Sequence, residues 1–447
     1  MNTKSLSLKE KLGFGVCDLG GNALFTIMAF WLMNYLTDTV GLAASLAGTA
    51  LMIGKIWDAV TDPLMGYISD RTKTRWGRRR PYIFIGGILV FIAMVWMFTN
   101  PQITDENLLF YWTIGVYCFL NLGYTIVNIP YSSLTPELTS DYNERTILNG
   151  YRMSFAVVGT LIGAGAVLPL LGLFTDRNAG FSMIGVIFGL IILIVSWITF
   201  FSVNEPPFDT AAQPKMSVLR SYWEALKNIP FLLILFPWVL NMTAITIVSG
   251  MLIYYFKYIY QAAESTTLAL LILLLTAMVF IPVWVLISKT LGKKNCYAAG
   301  MFIIALTCII FFFFGHSLGL NFGLILMFLA GIGLSTTYVF PWSIVPDTIE
   351  YGYSKTGERH EGVYYGLWTL VSKTGQALAA LLMGLILDFY RYLPNEPFQA
   401  QEAIFGIRLL FGPIPAFIFI IATIIVLFYP IDAKRYQELT KQTGYSG

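Results

Sequence analysis

Charge is scarce in this chain. Only 12% of its 447 residues are Asp, Glu, Lys or Arg, against roughly 25% in an ordinary soluble domain. That excludes a water-soluble globular protein and gives no reason to expect a nucleic-acid partner. Histidine occurs twice, as His316 and His360, both beside the ends of apolar runs; neither suits a proton relay inside a membrane, and no Ser/His/Asp set is visible. The four cysteines, Cys17, Cys118, Cys296 and Cys308, lie in or beside apolar stretches without metal-ligand spacing or an extracellular pairing pattern. They read as small buried packing residues and leave the redox compartment open. No glycine-rich loop follows a strand, so no phosphate loop is expected. Enzymatic chemistry therefore has little support, and no resident cofactor is expected.

What is present is apolar length, with 57% of the residues hydrophobic. Runs at 80–99, 107–130, 181–203, 231–256, 266–288, 301–314, 321–345 and 404–429 approach or exceed the roughly 20 residues that cross a bilayer as helix. With 13–36, 44–68, 147–173 and 362–388, which carry a few polar residues each, twelve spans are expected. The N-terminal MNTKSLSLKEKLG leads into a span too long and too polar for a cleaved signal. Lys4, Lys9, Lys11, Arg71 to Arg80, Arg145, Lys215, Lys289, Lys293, Lys294, Lys355, Lys434 and Lys441 fall at the termini or in even-numbered connections. Odd connections offer little beyond Arg177, Lys257 and Arg391. That asymmetry places both termini on the cytoplasmic side of an inner membrane.

The longest polar connection, NEPPFDTAAQPKMSVLRSYWEALKNIP, divides the chain. The expected organisation is a six-helix half at 1–203, a linker at 204–230, a second six-helix half at 231–430 and a cytoplasmic tail at 431–447. Val218, Leu219, Tyr222, Trp223 and Leu226 share one face of a short helix in the linker, which suits the membrane surface. The turn after span two carries Gly77, Arg78 and Arg79, and the turn after span eight repeats this weakly as Gly292, Lys293 and Lys294. Two such all-α halves around a central site form the arrangement of the major facilitator fold.

WDAVTDPLMGYISDRTKTRWGRRRP, from Trp57 to Pro81, pairs two acids in an apolar helix with a basic turn. Acids at membrane depth mark function by default. Asp58 and Asp62 share one helix face at i, i+4, and Pro63 leaves a carbonyl one turn back without its donor. Two carboxylates and a free carbonyl suit Na+, or one shared proton, because like charges this close resist joint ionisation. The structural alternative is an ion pair with Lys55. In span four, Tyr124, Thr125 and Asn128 fall within one turn before Pro130; their oxygens suit an ion site or a polyol, or interhelix packing.

Arg152 in span five and Lys373 in span eleven are cations at membrane depth, and each needs a partner. Trp368, Thr369, Lys373 and Gln376 put a ring, a hydroxyl, a cation and an amide on or near one face, which suits a sugar; the alternative is a charge clamp with Trp368 as packing. Asp18 and Asn22 in span one are again i, i+4, and serve substrate contact or packing equally well. Tyr338, Pro341 and Trp342 in span ten are aromatics beside a kink, read as lining or core. The spacing of Gly66, Asp70, Arg71, Gly77 and Arg78 is that of the turn linking spans two and three in major facilitator proteins, a turn able to pair with helix ends in one state and release them in another. Asp347, Glu350, Glu358, Arg359 and Glu361 form a charged cytoplasmic mouth or a solvated loop.

At WDAVTDPLMGYISDRTKTRWGRRRP, YTIVNIPYSSL and VPDTIEYG the chain closely resembles the glycoside, pentoside and hexuronide cation symporters, the melibiose-permease-like branch of the major facilitator superfamily, over essentially its whole length. The resemblance implies a cation site at Asp58 and Asp62 with Thr125 as a further oxygen ligand, Lys373 as a nearby interhelix charge, and Arg152, Tyr124, Tyr338 and Thr369 beside the sugar. Melibiose permeases carry aspartates where Asn128 and Asn22 stand here, and a tryptophan where Ser132 stands, so neither an α-galactoside nor Na+ transfers directly. The expectation is a monomeric sugar or glycoside symporter driven by H+ or Na+ through alternating access, with a lysophospholipid or other amphiphile carrier as the alternative and a transporter-like receptor as the non-transport reading.

Overall fold

The computed structural model describes residues 6–139, 142–205, 218–356, 361–394, 396–432, 435, 436 and 438. Arg145 as a side chain, linker residues 206–217, the mouth residues Glu358, Arg359 and His360, and most of the tail lie outside them. Helix is the regular structure throughout: α1 (Cys17–Phe30), α2 (Ala44–Arg71), α3 (Arg80–Met97), α4 (Glu106–Leu138), α5 (Tyr142–Gly165), α6 (Arg177–Ser202), α7 (Ile229–Tyr258), α8 (Ser265–Leu291), α9 (Lys293–Ile310), α10 (His316–Thr356), α11 (Glu361–Phe389), α12 (Gln401–Phe411) and α13 (Pro413–Leu427). Each of the twelve expected spans contains helix. Nine stretches of the described residues are long and apolar enough to cross a bilayer, and one of these, Lys293–Lys355, runs over two expected spans. The segments α2, with Lys55, Asp58 and Asp62, and α5, with Arg152, fall outside that set.

Local chemistry sets the helix starts. Asp105 accepts from Leu108 N at 2.7 Å to open α4, and Asn228 accepts from Phe231 N at 3.1 Å to open α7; each satisfies an amide that the helix itself cannot. Span one is broken into Leu8–Gly15, α1, Leu32–Tyr35 and a π-turn over Leu36–Val40, where apolar patterning alone suggests one run.

The chain forms two compact units, Met1–Thr210 with Ala380–Phe398, and Ala211–Ala379 with Gln399–Gly447. In the first, α1 packs on α5 and α6, α2 on α4, and α3 on α4 and α6; in the second, α8 packs on α10, and α9 on α10 and α13. The pairing order in one thus echoes the other. The last three turns or so of α11 belong to the first unit because small residues admit them: a Cβ on Gly384 would stand 2.3 Å from the Ala44 carbonyl oxygen. Asp388 then accepts from Ser45 N at 3.0 Å, capping α2, and the Tyr392 hydroxyl donates to buried Asp38.

Candidate functional site

In the first unit, α2 brings Asp58 and Asp62 against Thr125 of α4. Thr125 Oγ1 lies 3.0 Å from Asp58 Oδ1 and 2.9 Å from Asp62 Oδ1. Asp58 and Thr125 are buried, and Asp62 half-buried. A hydroxyl has one proton to donate, so it can satisfy only one of two ionised carboxylates. The second contact becomes favourable when a proton sits on a carboxyl or a cation sits among the three oxygens. Among the described residues, no group of three or more His, Cys, Asp or Glu could hold a metal ion; the oxygen set here suits a proton or an alkali cation. Lys55 Nζ lies 5.8 Å from the Phe25 ring centroid, and its charge also feels Asp58 and Asp62.

About two turns further along α4, a second polar cluster forms. Arg152 donates to Asp18 from Nε at 2.7 Å and Nη2 at 3.4 Å, and to Thr135 Oγ1 at 2.8 Å. The buried Tyr131 hydroxyl donates to Asp18 at 2.6 Å, and its ring lies 4.7 Å from the guanidinium carbon. Asp18, read as substrate contact or packing, and Arg152, implied beside the sugar, thus form an ion pair with each other. Asn22 donates to the Asp18 carbonyl at 2.8 Å. Asp18, Tyr124, Asn128 and Tyr131 line a cavity of about 10 Å³, the lower limit for one water. Neither charge nor motif singles out Tyr131 and Thr135 in the sequence, although 124, 128, 131 and 135 follow a helical period.

In the second unit, the expected residues separate. Trp368 is 1% exposed, stacked on Trp238 with centroids 4.7 Å apart, and belongs to that unit's core. Thr369 is exposed and donates to the Tyr365 carbonyl at 2.9 Å, Lys373 is half-buried, and Tyr338 is exposed.

The basic turn is held inside the first unit. Gly77 has φ +103°, and a Cβ there would stand 2.2 Å from Glu205 Oε2. Arg78 N and Arg79 N donate to that carboxylate at 2.7 and 3.0 Å, which caps α3. The Arg78 and Arg79 side chains both pair with Glu137, and Arg79 also reaches Asp70 at 2.8 Å. Arg71 instead covers the Tyr67 ring, 3.6 Å from its centroid. In the sequence Glu137 and Glu205 are acids beside prolines in apparent loops, with no spacing that ties them to the basic turn.

The family model described as MFS/sugar transport protein matches residues 13–433. This chain belongs to that family, and its fold is the major facilitator fold: it is a multi-pass membrane transporter rather than an enzyme. It is 30% identical to the uncharacterised symporter YnaJ of Bacillus subtilis, covering 99% of this chain and 96% of the relative. It is 29% identical to an uncharacterised symporter of Synechocystis sp., with 99% and 97% covered, and 28% identical to the glucuronide carrier protein homolog of Escherichia coli, with 98% and 95% covered. Among solved structures it is similar to a variant of the nucleoside transporter NupG, with TM-score 0.68 and 14% identity over 94% of this chain and 99% of that one, a likeness of fold alone.

Proposed function

We propose that this protein is a secondary active symporter that carries a sugar or glycoside with H+ or Na+, taking the cation at Asp58, Asp62 and Thr125. The observation that carries the reading is the single hydroxyl facing two carboxylates at 3.0 and 2.9 Å, an arrangement completed by one positive charge. The names of the relatives, symporters and a glucuronide carrier homolog, support the same class. Cation binding cancels one of the acid pair's two negative charges, lowers the cost of moving that charge through the closed state, and favours sugar in the same cavity. The coupling is reciprocal, so sugar tightens the cation by the same factor. The basic residues at the termini and even connections support cytoplasmic termini in the inner membrane. Arg78, Asp70 and Gly77 belong in this reading to a cytoplasmic hinge whose first-unit partners are Glu137 and Glu205.

The test is uptake in vesicles under imposed Na+ or pH gradients. Asp62→Ala abolishes uphill accumulation; normal accumulation by that variant rules out the cation site. Thermal stability of the purified protein across sugars, uronides and lysolipids, with and without Na+ and at two pH values, names substrate and ion together, since a ligand bound only by the folded state stabilises it by mass action.

A further inference from the structure

The second unit holds four aromatic rings in one arrangement that packing alone does not require. Trp238 and Trp368 are stacked and buried, at 5% and 1% exposure, and neither indole N–H finds an acceptor among the described residues. A phenylalanine pair would fill the core without burying two unpaired donors. What the indoles do is hold a third ring: Trp342 stands edge to face against both, with centroids 6.0 Å from Trp238 and 6.2 Å from Trp368. Trp342 itself is 48% exposed. On its other side the Tyr365 ring runs nearly parallel, at 15° and 6.5 Å.

Helical spacing extends this surface. Tyr338 and Trp342 are i, i+4 on α10; Tyr365, Thr369 and Lys373 are i, i+4, i+8 on α11. At membrane depth a lysine such as Lys373 faces protein or water by default rather than lipid, and the spacing puts Thr369 and Tyr365 on its side of α11. The internal echo agrees. Pro341-Trp342-Ser343 on α10 repeats Pro130-Tyr131-Ser132 on α4, and Tyr131 lines the polar cavity of the first unit.

We propose that Trp342 and Tyr365 form an aromatic wall that stacks on the C–H face of a pyranoside, with Thr369 and Lys373 beside it for the ring hydroxyls, and that Trp238 and Trp368 are positioning residues that fix Trp342 in advance. This rests on the sugar symporter reading and narrows it to cyclic sugars with an apolar ring face. An indole held by two neighbours loses little freedom on binding, so the wall contributes selectivity for ring over open-chain polyols.

The experiment uses the purified full chain with Na+ and, separately, at acidic pH. The probes are the methyl pyranosides of glucose, galactose, xylose and glucuronic acid, sorbitol as an open-chain polyol, and a lysophosphatidylcholine. Binding is read by thermal shift and by indole fluorescence. A pyranoside binds wild type more tightly than sorbitol; Trp342→Leu weakens it at least about fivefold and Trp342→Phe at most about twofold, with the cation response unchanged in both. Leucine preserves apolar bulk, so a packing role would be satisfied by either variant. Should Trp342→Leu fail to fold, Tyr365→Leu gives the same reading from the other end of the wall. Wild-type pyranoside affinity in both leucine variants, or sorbitol bound as tightly as pyranosides, overturns the wall and leaves the symporter reading standing. A wild type that responds to lysolipid and to no sugar overturns both.

Discussion

Replacing Thr125 with valine removes one oxygen at nearly constant volume, so its effect isolates the hydroxyl between the acids. Both carboxylate oxygens lie within 3.0 Å of Thr125 Oγ1 and so stand at most about 6 Å apart. At that separation two full charges repel by about 3 kcal/mol with an effective dielectric near 20, and a captured cation relieves this. The hydroxyl adds a ligand or a charge-assisted hydrogen bond of about 1.5–3 kcal/mol, equivalent to roughly 10- to 100-fold in cation affinity. Thr125→Val therefore keeps the electrostatic drive and loses the ligand, while Asp62→Asn loses the drive itself.

The expected order of cation affinity is wild type, close to Thr125→Ser, then Thr125→Val, then Asp62→Asn. The assay is the cation concentration, Na+ or H+, that half-saturates the thermal stabilisation of each variant, paired with sugar exchange at equilibrium, which needs no gradient. A Thr125→Val protein with a lowered melting temperature but wild-type half-saturation would falsify the coordination argument and leave Thr125 as packing.

Asp18→Asn leaves Arg152 half-buried without its charge partner; breaking such a pair costs about 3–5 kcal/mol, read as a lower melting temperature, and an unchanged one means that the guanidinium has found water. Gly77→Ala meets both the left-handed backbone and the Glu205 carboxylate, and destabilises by about 1–3 kcal/mol; stability equal to wild type would show that the turn relaxes. Gly384→Ala forces α11 off the Ala44 carbonyl at a cost of about 1–3 kcal/mol, measured by thermal unfolding, and a neutral result would mean that the helices separate without loss.

The sequence made the elements legible where one physical signal dominated. Apolar length located the helices, and the i, i+4 spacing of Asp58 and Asp62 placed both carboxylates where one hydroxyl reaches them. Partners were harder to read. Arg152 plainly needed an acid, and the chain offered Asp18 only as a residue 134 positions away; nothing local distinguishes a committed carboxylate from one free for substrate. Trp368 and Trp342 are both tryptophans in apolar helices, and only packing separates the buried one from the exposed one. Glu205 looks like a loop acid beside prolines, yet the backbone amides of Arg78 and Arg79 converge on it, a three-dimensional fact with no sequence period. The break in span one similarly depends on π-turn bonding that hydropathy does not register.

The repeated glycine-cation turn shows how duplication diverges, and it predicts unequal costs for equivalent changes. Gly77 and Gly292 both adopt positive φ, +103° and +80°. Each is followed by a cation that pairs with an acid near the end of the neighbouring helix: Arg78 with Glu137 on α4, and Lys293 with Asp347 on α10, the latter at 2.8 Å. In the first unit, Glu137 serves two guanidinium groups whose side chains are 9% exposed; Glu137→Gln leaves Arg79 with Asp70 and Arg78 with Glu205 but removes a charge-assisted contact from each buried cation, a loss of about 1.5–3 kcal/mol. In the second, the Lys293 side chain is 44% exposed and rehydrates when Asp347 becomes asparagine, so that loss stays near 1 kcal/mol or below. Melting temperatures of the two variants, measured in low and high salt, decide the matter: a large drop for Glu137→Gln and a small, salt-screened one for Asp347→Asn follow from burial. Equal drops would mean that the exposed lysine matters as much as the two buried arginines, and burial would then not be what separates the two turns.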